Sequence, residues 1–331
     1  MMRMTVLASG SKGNSTVVSS SRTRVLVDAG LSCRELLRRM ALAGEDPYTL
    51  DAILITHEHI DHVSGLAVLA RRLGIPVFFT EPTHRAWVRM LTPRTTMTYA
   101  KWLDHVQQEK EARAAAVAEA EAAAKLGITT DPDASGSASE KAVLNLAANS
   151  DLCEPEPAAK SNPSSLPAVE YFQPGSSFCV GDLDILPFTI PHDAADPCGF
   201  VFSSEGIRMA VATDLGYVPP NVKAALKRID VLLLESNHDL EMLRDGPYPW
   251  SVKQRVLSRV GHLSNHATAE FLSRDYDGGA AYIILGHLSE SNNAPELARI
   301  AAEEALSSHP SLLGNRVLLA SQSTPLNPVT L

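Results

Sequence analysis

The chain has 331 residues, 45% of them apolar and 20% charged, which is typical of a globular protein with one large core or two smaller ones. The formal net charge of −9 argues against binding of nucleic acid by the whole surface, although it leaves room for a local basic cleft. No apolar run approaches the roughly 20 residues of a membrane-spanning helix, the start does not resemble a signal peptide, and four scattered cysteines favour a reducing cytoplasm over a disulfide framework.

Short apolar segments alternate with helical patterns along the chain, which predicts an α/β fold. Segments rich in Val, Ile, Leu and Phe predict strands at Met4–Ala8, Arg24–Asp28, Ala52–Thr56, Pro76–Thr80, Ser177–Val180, Leu183–Pro191, Gly199–Ser203, Arg208–Thr213, Val231–Glu235, Ala281–Gly286 and Arg316–Ala320. Apolar residues at helical spacing predict helices at Cys33–Ala43, Leu66–Leu73, Thr83–Leu91, Pro219–Lys227, Val252–Arg259, Ala267–Tyr276 and Pro295–Ser308. Tight turns are expected at Gly181-Asp182 and Glu205-Gly206. Strands in two groups predict two mixed sheets packed face to face, with helices outside.

One stretch departs from this pattern. Residues 104–126 consist mostly of Ala, Glu, Lys and Gln, which favours a helix with little apolar surface to bury. Residues 127–168 are rich in Ser, Pro, Asp and Ala, and structureless loops longer than roughly 12–15 residues are uncommon inside compact domains. We therefore interpret about 104–168 as an insertion into a single domain spanning 1–331. A dispensable surface excursion is the simpler interpretation, and a functional arm is the alternative.

The strand predicted at Ala52–Thr56 leads into His57-Glu58-His59-Ile60-Asp61-His62. Histidines at i and i+2 at the end of a strand point to the same side, and the following turn presents Asp61 and His62 beside them. Three imidazoles and a carboxylate within six residues are hard to explain by packing, because a buried Asp needs a partner. The segment therefore predicts a metal site, with ligands that suit zinc, manganese or iron.

His-x-His-x-Asp-His after an apolar strand resembles the motif of the metallo-β-lactamase superfamily, whose fold is an αββα sandwich with a two-metal site at one edge. Four further positions match in the family's order, namely Asp28, His192, Asp214 and His287. The resemblance implies a metallo-hydrolase domain that holds one divalent metal with His57, His59 and His192. It implies a second metal at Asp61, His62 and His287, with Asp214 bridging the two. Asp28 would orient ligands. Taken alone, Asp214 also fits a helix cap and His287 a core histidine.

Two metals with a bridging hydroxide suit attack on either a carbonyl or a phosphorus atom, and Asp61 counts among the catalytic residues as well as the ligands. Glu235, at the end of a strand, and His262, in a Gly-His-Leu-Ser segment, resemble the ribonuclease Z branch. In that branch a Glu and a His form a dyad that protonates the leaving oxygen. Carried over, Glu235 orients His262, the general acid. The alternatives are a salt bridge at Glu235 and a helix cap at His262.

The YycJ (WalJ) branch of bacterial proteins is a closer match, and it covers nearly the whole chain except 104–168. The segments that carry this resemblance are Ser9–Ser15, Thr56–His59, Pro191–Ala194, Glu235–Asp239, Gly246–Pro249, Gly261–Asn265 and His287–Asn293. The resemblance implies a 5′-to-3′ exonuclease on double-stranded DNA, with manganese as the cofactor and zinc as the alternative. The insertion departs from the branch pattern, and its position could alter access of the substrate.

Several residues are candidates for substrate contact. Ser11 and Asn14 lie in a Gly/Ser loop whose N–H groups could hold a phosphate, although an ordinary turn explains the loop equally well. Asn265, Ser289 and Asn292 follow the motifs described above. Basic and aromatic residues precede His262, and they fit either nucleic-acid contact or a solvated helix face. These residues are Tyr248, Trp250, Lys253, Arg255 and Arg259.

Three functions remain open from the sequence. The first is a metal-dependent phosphodiesterase, with DNA as the substrate, because the Glu235–His262 pair supplies an acid for an alkoxide leaving group. The second is a small-molecule hydrolase of the same fold, acting on a thioester, a lactone or a cyclic phosphodiester, which the acidic net charge favours. The third is a metal-free scaffold, which the intact ligand set argues against. The sequence predicts neither the metal nor the oligomeric state.

Overall fold

A computed structural model of the chain describes residues 1–92, 163–307 and 314–331, with isolated helical positions at 103, 106–107 and 110–111. By its internal contacts the chain divides into two units, Met1–Thr92 with Asn162–Leu331, and Pro93–Ser161. The sheets and the site described below belong to the first unit. Apart from those helical positions and residues 163–168, the insertion predicted at about 104–168 lies outside the described residues.

The first unit contains two seven-stranded sheets. The first sheet has the order β14-β1-β2-β3-β4-β5-β6, with β1 (Arg3–Ala8), β2 (Ser15–Ser19), β3 (Arg24–Val27), β4 (Ala52–Leu54), β5 (Val77–Phe79), β6 (Val169–Tyr171) and β14 (Val329–Thr330). The second has the order β13-β12-β11-β10-β9-β8-β7, with β7 (Phe178–Val180), β8 (Leu183–Thr189), β9 (Cys198–Ser204), β10 (Ile207–Ala212), β11 (Val231–Glu235), β12 (Tyr282–Gly286) and β13 (Arg316–Leu319). Both sheets are mixed, because β3 to β6 and β10 to β13 pair in parallel and the other strands pair antiparallel.

Helices alternate with the strands along the chain. They are α1 (Cys33–Leu42), α2 (Ile60–Val63), α3 (Leu66–Leu73), α4 (Glu81–Leu91), α5 (Pro220–Ala225), α6 (Leu240–Asp245), α7 (Trp250–Val256), α8 (Asn265–Arg274) and α9 (Pro295–Leu306), with a 3-10 turn at Pro47–Thr49. One apolar cluster joins α1, α3 and α4 to the first sheet, and another joins α5, α8 and α9 to the second. Among the described residues, no helix has the length and apolar character that crossing a bilayer requires.

The alternation of side chains along each strand builds these layers. In β11, Val231 and Leu233 pack between the two sheets, whereas Leu232 and Leu234 face the helices. Ala52 and Leu54 of β4 contribute to the same central cluster. Because successive side chains point to opposite faces, strands buried on both sides read as continuous apolar runs. The αββα sandwich expected from the sequence is confirmed.

Each strand predicted from the sequence is present, with ends that differ by at most two residues. Both predicted hairpin turns are also present, since Val180 pairs with Leu183 and Ser204 with Ile207. The sequence missed β2, β6 and β14. The Ser-Thr-Val-Val-Ser segment of β2 has only two large apolar residues, and β6 and β14 are very short. It also missed the short helices α2 and α6.

Candidate metal centre

The predicted site residues meet where several strands end. Asp28 directly follows β3, His287 directly follows β12, and one residue separates Asp214 from the end of β10. All three are non-glycine residues with positive φ, at 60°, 63° and 56°. Such conformations cost of order 1–3 kcal/mol each and cluster at functional sites. The strand ends therefore turn sharply at this point and direct polar side chains toward one another.

His57, His59 and His192 form the first group of candidate ligands, with ring nitrogens within 4.8 Å of one another. Nδ1 of His59 lies 3.2 Å from Nε2 of His192. The Nδ1 atom of His192 lies 3.2 Å from the Gly261 carbonyl oxygen, so that it donates there and leaves Nε2 as a ligand atom. Nε2 of His57 is buried and has no hydrogen-bond partner among the described residues.

Asp61, His62 and His287 form the second group, again within 4.8 Å. Oδ2 of Asp61 lies 3.6 Å from Nε2 of His62 and 3.6 Å from Nε2 of His287. Asp214 reaches both groups, because its Oδ2 lies 3.4 Å from Nε2 of His62 and its Oδ1 lies 3.8 Å from Nε2 of His192. The structure thus brings together the seven ligands proposed from the sequence, with Asp214 between the two groups.

Asp28 is placed to orient His62. Its Oδ2 lies 2.8 Å from Nδ1 of His62, which leaves Nε2 directed into the cluster. Thr56 holds the Asp28 carboxylate in turn, because its N–H donates to Oδ1 at 2.9 Å and its hydroxyl donates to Oδ2 at 2.8 Å. A carboxylate behind an imidazole fixes both its tautomer and its direction. The sequence had suggested this role for Asp28 but not for Thr56.

Glu235 is fully buried and accepts four hydrogen bonds. Its Oε1 lies 2.8 Å from Nδ1 of His262 and 2.9 Å from Nδ1 of His287. Its Oε2 accepts from the N–H groups of Leu215 at 2.6 Å and Leu263 at 3.2 Å. Burial acts to raise the pKa of Glu235, but the two imidazoles outweigh it and hold that pKa below its usual range. Glu235 is therefore an anion that orients both rings.

Divalent cations fit this cluster. Nε2 of His57, Nε2 of His287 and Oδ2 of Asp214 are buried without a hydrogen-bond partner among the described residues. Each such buried atom costs roughly 1–3 kcal/mol unless a partner is supplied. Burial alone would lower the pKa of His62, yet the carboxylates of Asp214 and Asp28 raise it to about 9. Imidazoles and carboxylates that converge in this way are groups that could hold a divalent cation.

Comparison with known proteins agrees with this geometry. Residues 8–252 match the sequence profile described as the Metallo-beta-lactamase superfamily. The chain belongs to this superfamily. It is therefore a metal-dependent hydrolase, as the sequence motifs predicted, and the fold family implies divalent metals.

Two relatives cover almost the whole chain. The chain is 32% identical over 298 residues to "Exodeoxyribonuclease WalJ" of Streptococcus pneumoniae, covering 90% of this chain and 86% of the relative. It is 30% identical over 305 residues to "Exodeoxyribonuclease YycJ" of Bacillus anthracis, covering 92% of this chain and 89% of the relative. The resemblance to the YycJ (WalJ) branch is thus confirmed. The fold resembles that of YhfI from Bacillus subtilis, with a TM-score of 0.58, 14% identity and 98% of both chains covered.

The side chains that the sequence suggested for substrate contact lie in different environments. Ser11 is exposed on its loop. The Nδ2 atom of Asn14 donates to Oδ2 of Asp61 at 3.3 Å and lies 3.0 Å from Nε2 of His62, so Asn14 contacts two of the proposed ligands. The Asn265 amide oxygen accepts from the Ser236 hydroxyl at 2.7 Å, and its Nδ2 donates to Oδ1 of Asn293 at 2.8 Å. Substrate contact by Asn265 stays a prediction.

The remaining two candidates for substrate contact lie against each other. The hydroxyl of Ser289 accepts from the backbone N–H of Asn292 at 3.2 Å and from its Nδ2 at 3.4 Å. Both residues are buried, at 6% and 1% exposure. This contact stabilises the loop that follows His287, because the N–H and Nδ2 donors of Asn292 close a turn on Ser289. Substrate contact by either residue stays a prediction.

Sequence reasoning missed several residues that hold the site from a distance. The Ser9 hydroxyl accepts from the N–H of His287 at 2.7 Å, and Nδ2 of Asn237 donates to the His287 carbonyl at 2.8 Å. Both fix the strained backbone of that residue. Ser9 lies in the Gly/Ser loop and Asn237 in the segment after β11, so both motifs were visible in the sequence, but their contact with His287 was not.

Proposed function

We propose that the protein is a phosphodiesterase that digests double-stranded DNA from the 5′ to the 3′ end with two divalent cations, Mn²⁺ or Zn²⁺. The observation that carries the proposal is the contact of Glu235 with His262, at 2.8 Å, beside the seven proposed ligands. A positioned acid serves an alkoxide leaving group, which a nucleotide chain provides and a thioester does not. The exodeoxyribonuclease names of the two relatives support the same substrate class.

Each residue has a defined task in this proposal. His57, His59 and His192 would hold one cation, Asp61, His62 and His287 would hold the other, and Asp214 lies between the two groups of ligands. When bound, the cations supply an activated water and neutralise the charge of a phosphate.

His262 protonates the leaving oxygen in this proposal. Its Nδ1 is held by Glu235, which leaves Nε2 to carry the transferable proton, and its side chain is 19% exposed. Asp61 accepts a hydrogen bond from the attacking water. Its carboxylate remains an anion because His62 and His287 outweigh the effect of burial and lower its pKa. The residue that accepts a hydrogen bond from the water and the residue that donates a proton to the leaving oxygen are thus different.

A small-molecule hydrolase is the second candidate. The net charge of −9 favours it, and so does the pairing of Arg255 with Asp193 at 2.6 Å, because that arginine is not free to hold a long polyanion. A cyclic phosphodiester, a thioester or a lactone would be the substrate. The Glu235–His262 pair argues against a thioester, whose thiolate leaves without a proton donor, and it serves the alkoxide of DNA as well as that of a cyclic phosphodiester.

One assay separates the two candidates. Duplex DNA labelled at either end, single-stranded DNA and RNA are incubated with protein that has been reconstituted with Mn²⁺ or Zn²⁺, and the products are sized. We expect stepwise loss of nucleotides from 5′ ends of the duplex, and no loss with a His59→Ala protein. Hydrolysis of a thioester, lactone or cyclic dinucleotide without digestion of any nucleic acid would favour the second candidate.

The cytoplasm is the proposed location. Cys33, Cys179 and Cys198 are free thiols, and free thiols are typical of a reducing compartment.

A further inference from the structure

Three basic residues precede His262, and the structure gives each a different environment. Lys253 is buried, and its Nζ donates to the Arg244 carbonyl at 2.6 Å. Arg255 donates to both carboxylate oxygens of Asp193, at 2.6 and 3.2 Å. Arg259 is exposed, and no carboxylate in the described part of the chain forms an ion pair with it. Of these three side chains, only Arg259 is both exposed and without an ion-pair partner among the described residues, so its charge is available to a ligand.

Arg259 is held in place by an aromatic ring. Its guanidinium carbon lies 4.4 Å from the centroid of the Tyr217 ring. A guanidinium stacked on a ring keeps its charge and its hydrogen-bond donors, because only one face is covered. Stacking also restricts the rotamers of a long side chain, which lowers the entropy lost on binding a ligand.

Backbone contacts join the segments that carry this pair to the loops of the proposed metal centre. A Cβ on Gly216 would lie 2.1 Å from the Arg259 carbonyl oxygen, so the loop after Asp214 is in direct contact with the segment before His262. The next residues of that segment contact the His192 loop, since the Val260 carbonyl accepts from Asp193 N–H at 3.1 Å. Arg259 therefore lies on a segment tied to the loops that carry Asp214 and His192.

We infer that Arg259, stacked on Tyr217, binds a backbone phosphate of the nucleic acid next to the bond being cleaved. The inference rests on the proposed function and names the residue that contacts the polyanion. A guanidinium presents paired N–H donors that match two phosphate oxygens. In a protein of net charge −9, a local cation at the cleft is needed to offset the repulsion of a polyanion.

The chain offers a matched control. The guanidinium of Arg316 also lies over a tyrosine ring, 5.8 Å from the centroid of Tyr282, but at the start of β12 and β13. The metal centre lies at the opposite ends of these strands, where His287 follows β12. Arg316→Ala therefore removes the same charge and the same kind of stacking at a distance from the cleft.

The test measures digestion of a defined duplex by the metal-loaded protein at several salt concentrations. We expect Arg259→Ala to raise KM about tenfold with kcat within about twofold. The slope of log(kcat/KM) against log[salt] should become shallower by about one, which is the contribution of one phosphate contact. Tyr217→Leu should raise KM by a smaller factor, and the double variant should be no worse than Arg259→Ala. Arg316→Ala should match the parent protein.

Hydrolysis of bis(p-nitrophenyl) phosphate shows whether the centre itself is intact, because this substrate has no neighbouring phosphate. Arg259→Ala should hydrolyse it at the parental rate. If the parent digests duplex DNA and Arg259→Ala has the KM and the salt slope of the parent, this inference is overturned and the proposed function is not. Equal loss on both substrates would also overturn it, since that pattern indicates a defect of the centre. A metal-loaded parent that digests no nucleic acid would overturn the proposed function and, with it, this inference.

Discussion

Oε1 of Glu235 lies 2.8 Å from Nδ1 of His262. The same oxygen atom lies 2.9 Å from Nδ1 of His287, and the other carboxylate oxygen accepts from two backbone N–H groups. The sequence had indicated an acid dyad of Glu235 and His262 alone. In the structure, one carboxylate orients both the proposed acid and a proposed metal ligand, so a change at Glu235 acts on two functions.

His262→Ala and Glu235→Gln should therefore differ. His262→Ala is expected to keep both metals and to lower the rate on DNA by roughly 10²–10⁴-fold, the usual contribution of a positioned proton donor. Glu235→Gln should lower the rate at least as much and also weaken metal binding. Its amide nitrogen faces the Nδ1 atoms that donate to the carboxylate, so it disfavours the tautomer that directs Nε2 of His287 to a metal. Metal content by elemental analysis and rates on DNA check both statements.

A comparison of the activity lost on two substrates distinguishes a general acid from a positioning residue. His262→Ala should lose less activity on a nitrophenyl phosphodiester, because that leaving group departs without a proton. Glu303→Gln, an exposed carboxylate on α9, is the matched control and should change neither metal content nor rate. If Glu235→Gln retains both metals and has the rate of His262→Ala, the carboxylate acts through His262 only.

Gly30 sits where no side chain fits. A Cβ at this position would lie 1.7 Å from the Asp61 carbonyl oxygen and 2.6 Å from the Asn14 backbone nitrogen. We expect Gly30→Ala to displace the turn that carries Asp61, to lower the free energy of unfolding by about 3 kcal/mol and to reduce bound metal. Urea unfolding and elemental analysis measure both effects.

Gly74 provides the comparison for this variant. Unlike Gly30, it has a left-handed backbone, with φ of 68°, and a Cβ there meets nothing within 4 Å. Gly74→Ala should cost about 1 kcal/mol from the left-handed backbone alone and should leave metal content unchanged. Equal metal content in the two variants would show that the Gly30 contact does not support the site.

The sequence predicted the layers and the ligand cluster because both depend on local patterns. The apolar run of β4 and the six residues from His57 to His62 can be recognised from the local sequence alone. The apolar pattern of a strand and the types of metal-binding residue do not depend on contacts with distant segments. Family order then extended the set to Asp214 and His287. Strands such as β14, with two residues, could not be predicted, because pairing with β1 rather than local composition defines that strand.

Contacts between distant segments account for what the sequence did not predict. The Ser9 hydroxyl bonds the His287 N–H, 278 positions away. Similarly, the hydrogen bonds of the Asn265 amide to Asn293 and Ser236 join segments 28 and 29 positions apart. A polar residue next to a motif has no local pattern that separates a substrate contact from an internal hydrogen bond. Lys253 illustrates the same limit, because its charged end is turned inward.

His238 predicts a pH dependence of stability. Both of its ring nitrogens are buried without a partner among the described residues, and burial lowers its pKa to about 4, with Glu235 opposing and His262 assisting the shift. The unfolded chain takes up this proton near pH 6.5, whereas the folded chain does so near pH 4. The contribution of neutral His238 to the free energy of unfolding is thus complete above pH 6.5. It decreases as the pH is lowered, by about 2 kcal/mol at pH 5 and about 3 kcal/mol at pH 4.

Urea unfolding at pH 7 and pH 5, at one metal concentration, measures this effect. His238→Gln should lose about 2 kcal/mol less than the parent between the two pH values, since it has no imidazole to protonate. The exposed His266 is the control, and His266→Gln should follow the parent. Identical pH dependence for His238→Gln and the parent would mean that His238 does not stay neutral in the folded protein.

The last prediction concerns the boundary of the insertion. Residues 163–168 lead directly into β6, and the sequence had placed them in the insertion. The Ala168 carbonyl accepts from Val77 N–H at 3.0 Å, the Ser165 carbonyl accepts from Arg71 at 2.9 Å, and Leu166 packs against the helix-side core of the first sheet.

Replacement of 104–160 by a short linker should therefore leave folding, metal content and phosphodiesterase activity intact, because the composition of that segment offers little apolar surface to a core. Replacement of 104–168 should lower the free energy of unfolding by at least about 2 kcal/mol, since it removes the Leu166 side chain and the two backbone acceptors. Thermal unfolding, elemental analysis and the nitrophenyl assay on both proteins measure the difference. Loss of metal from the shorter replacement would show that the segment supports the metal centre, and equal stability of the two would show that 163–168 adds nothing to the core.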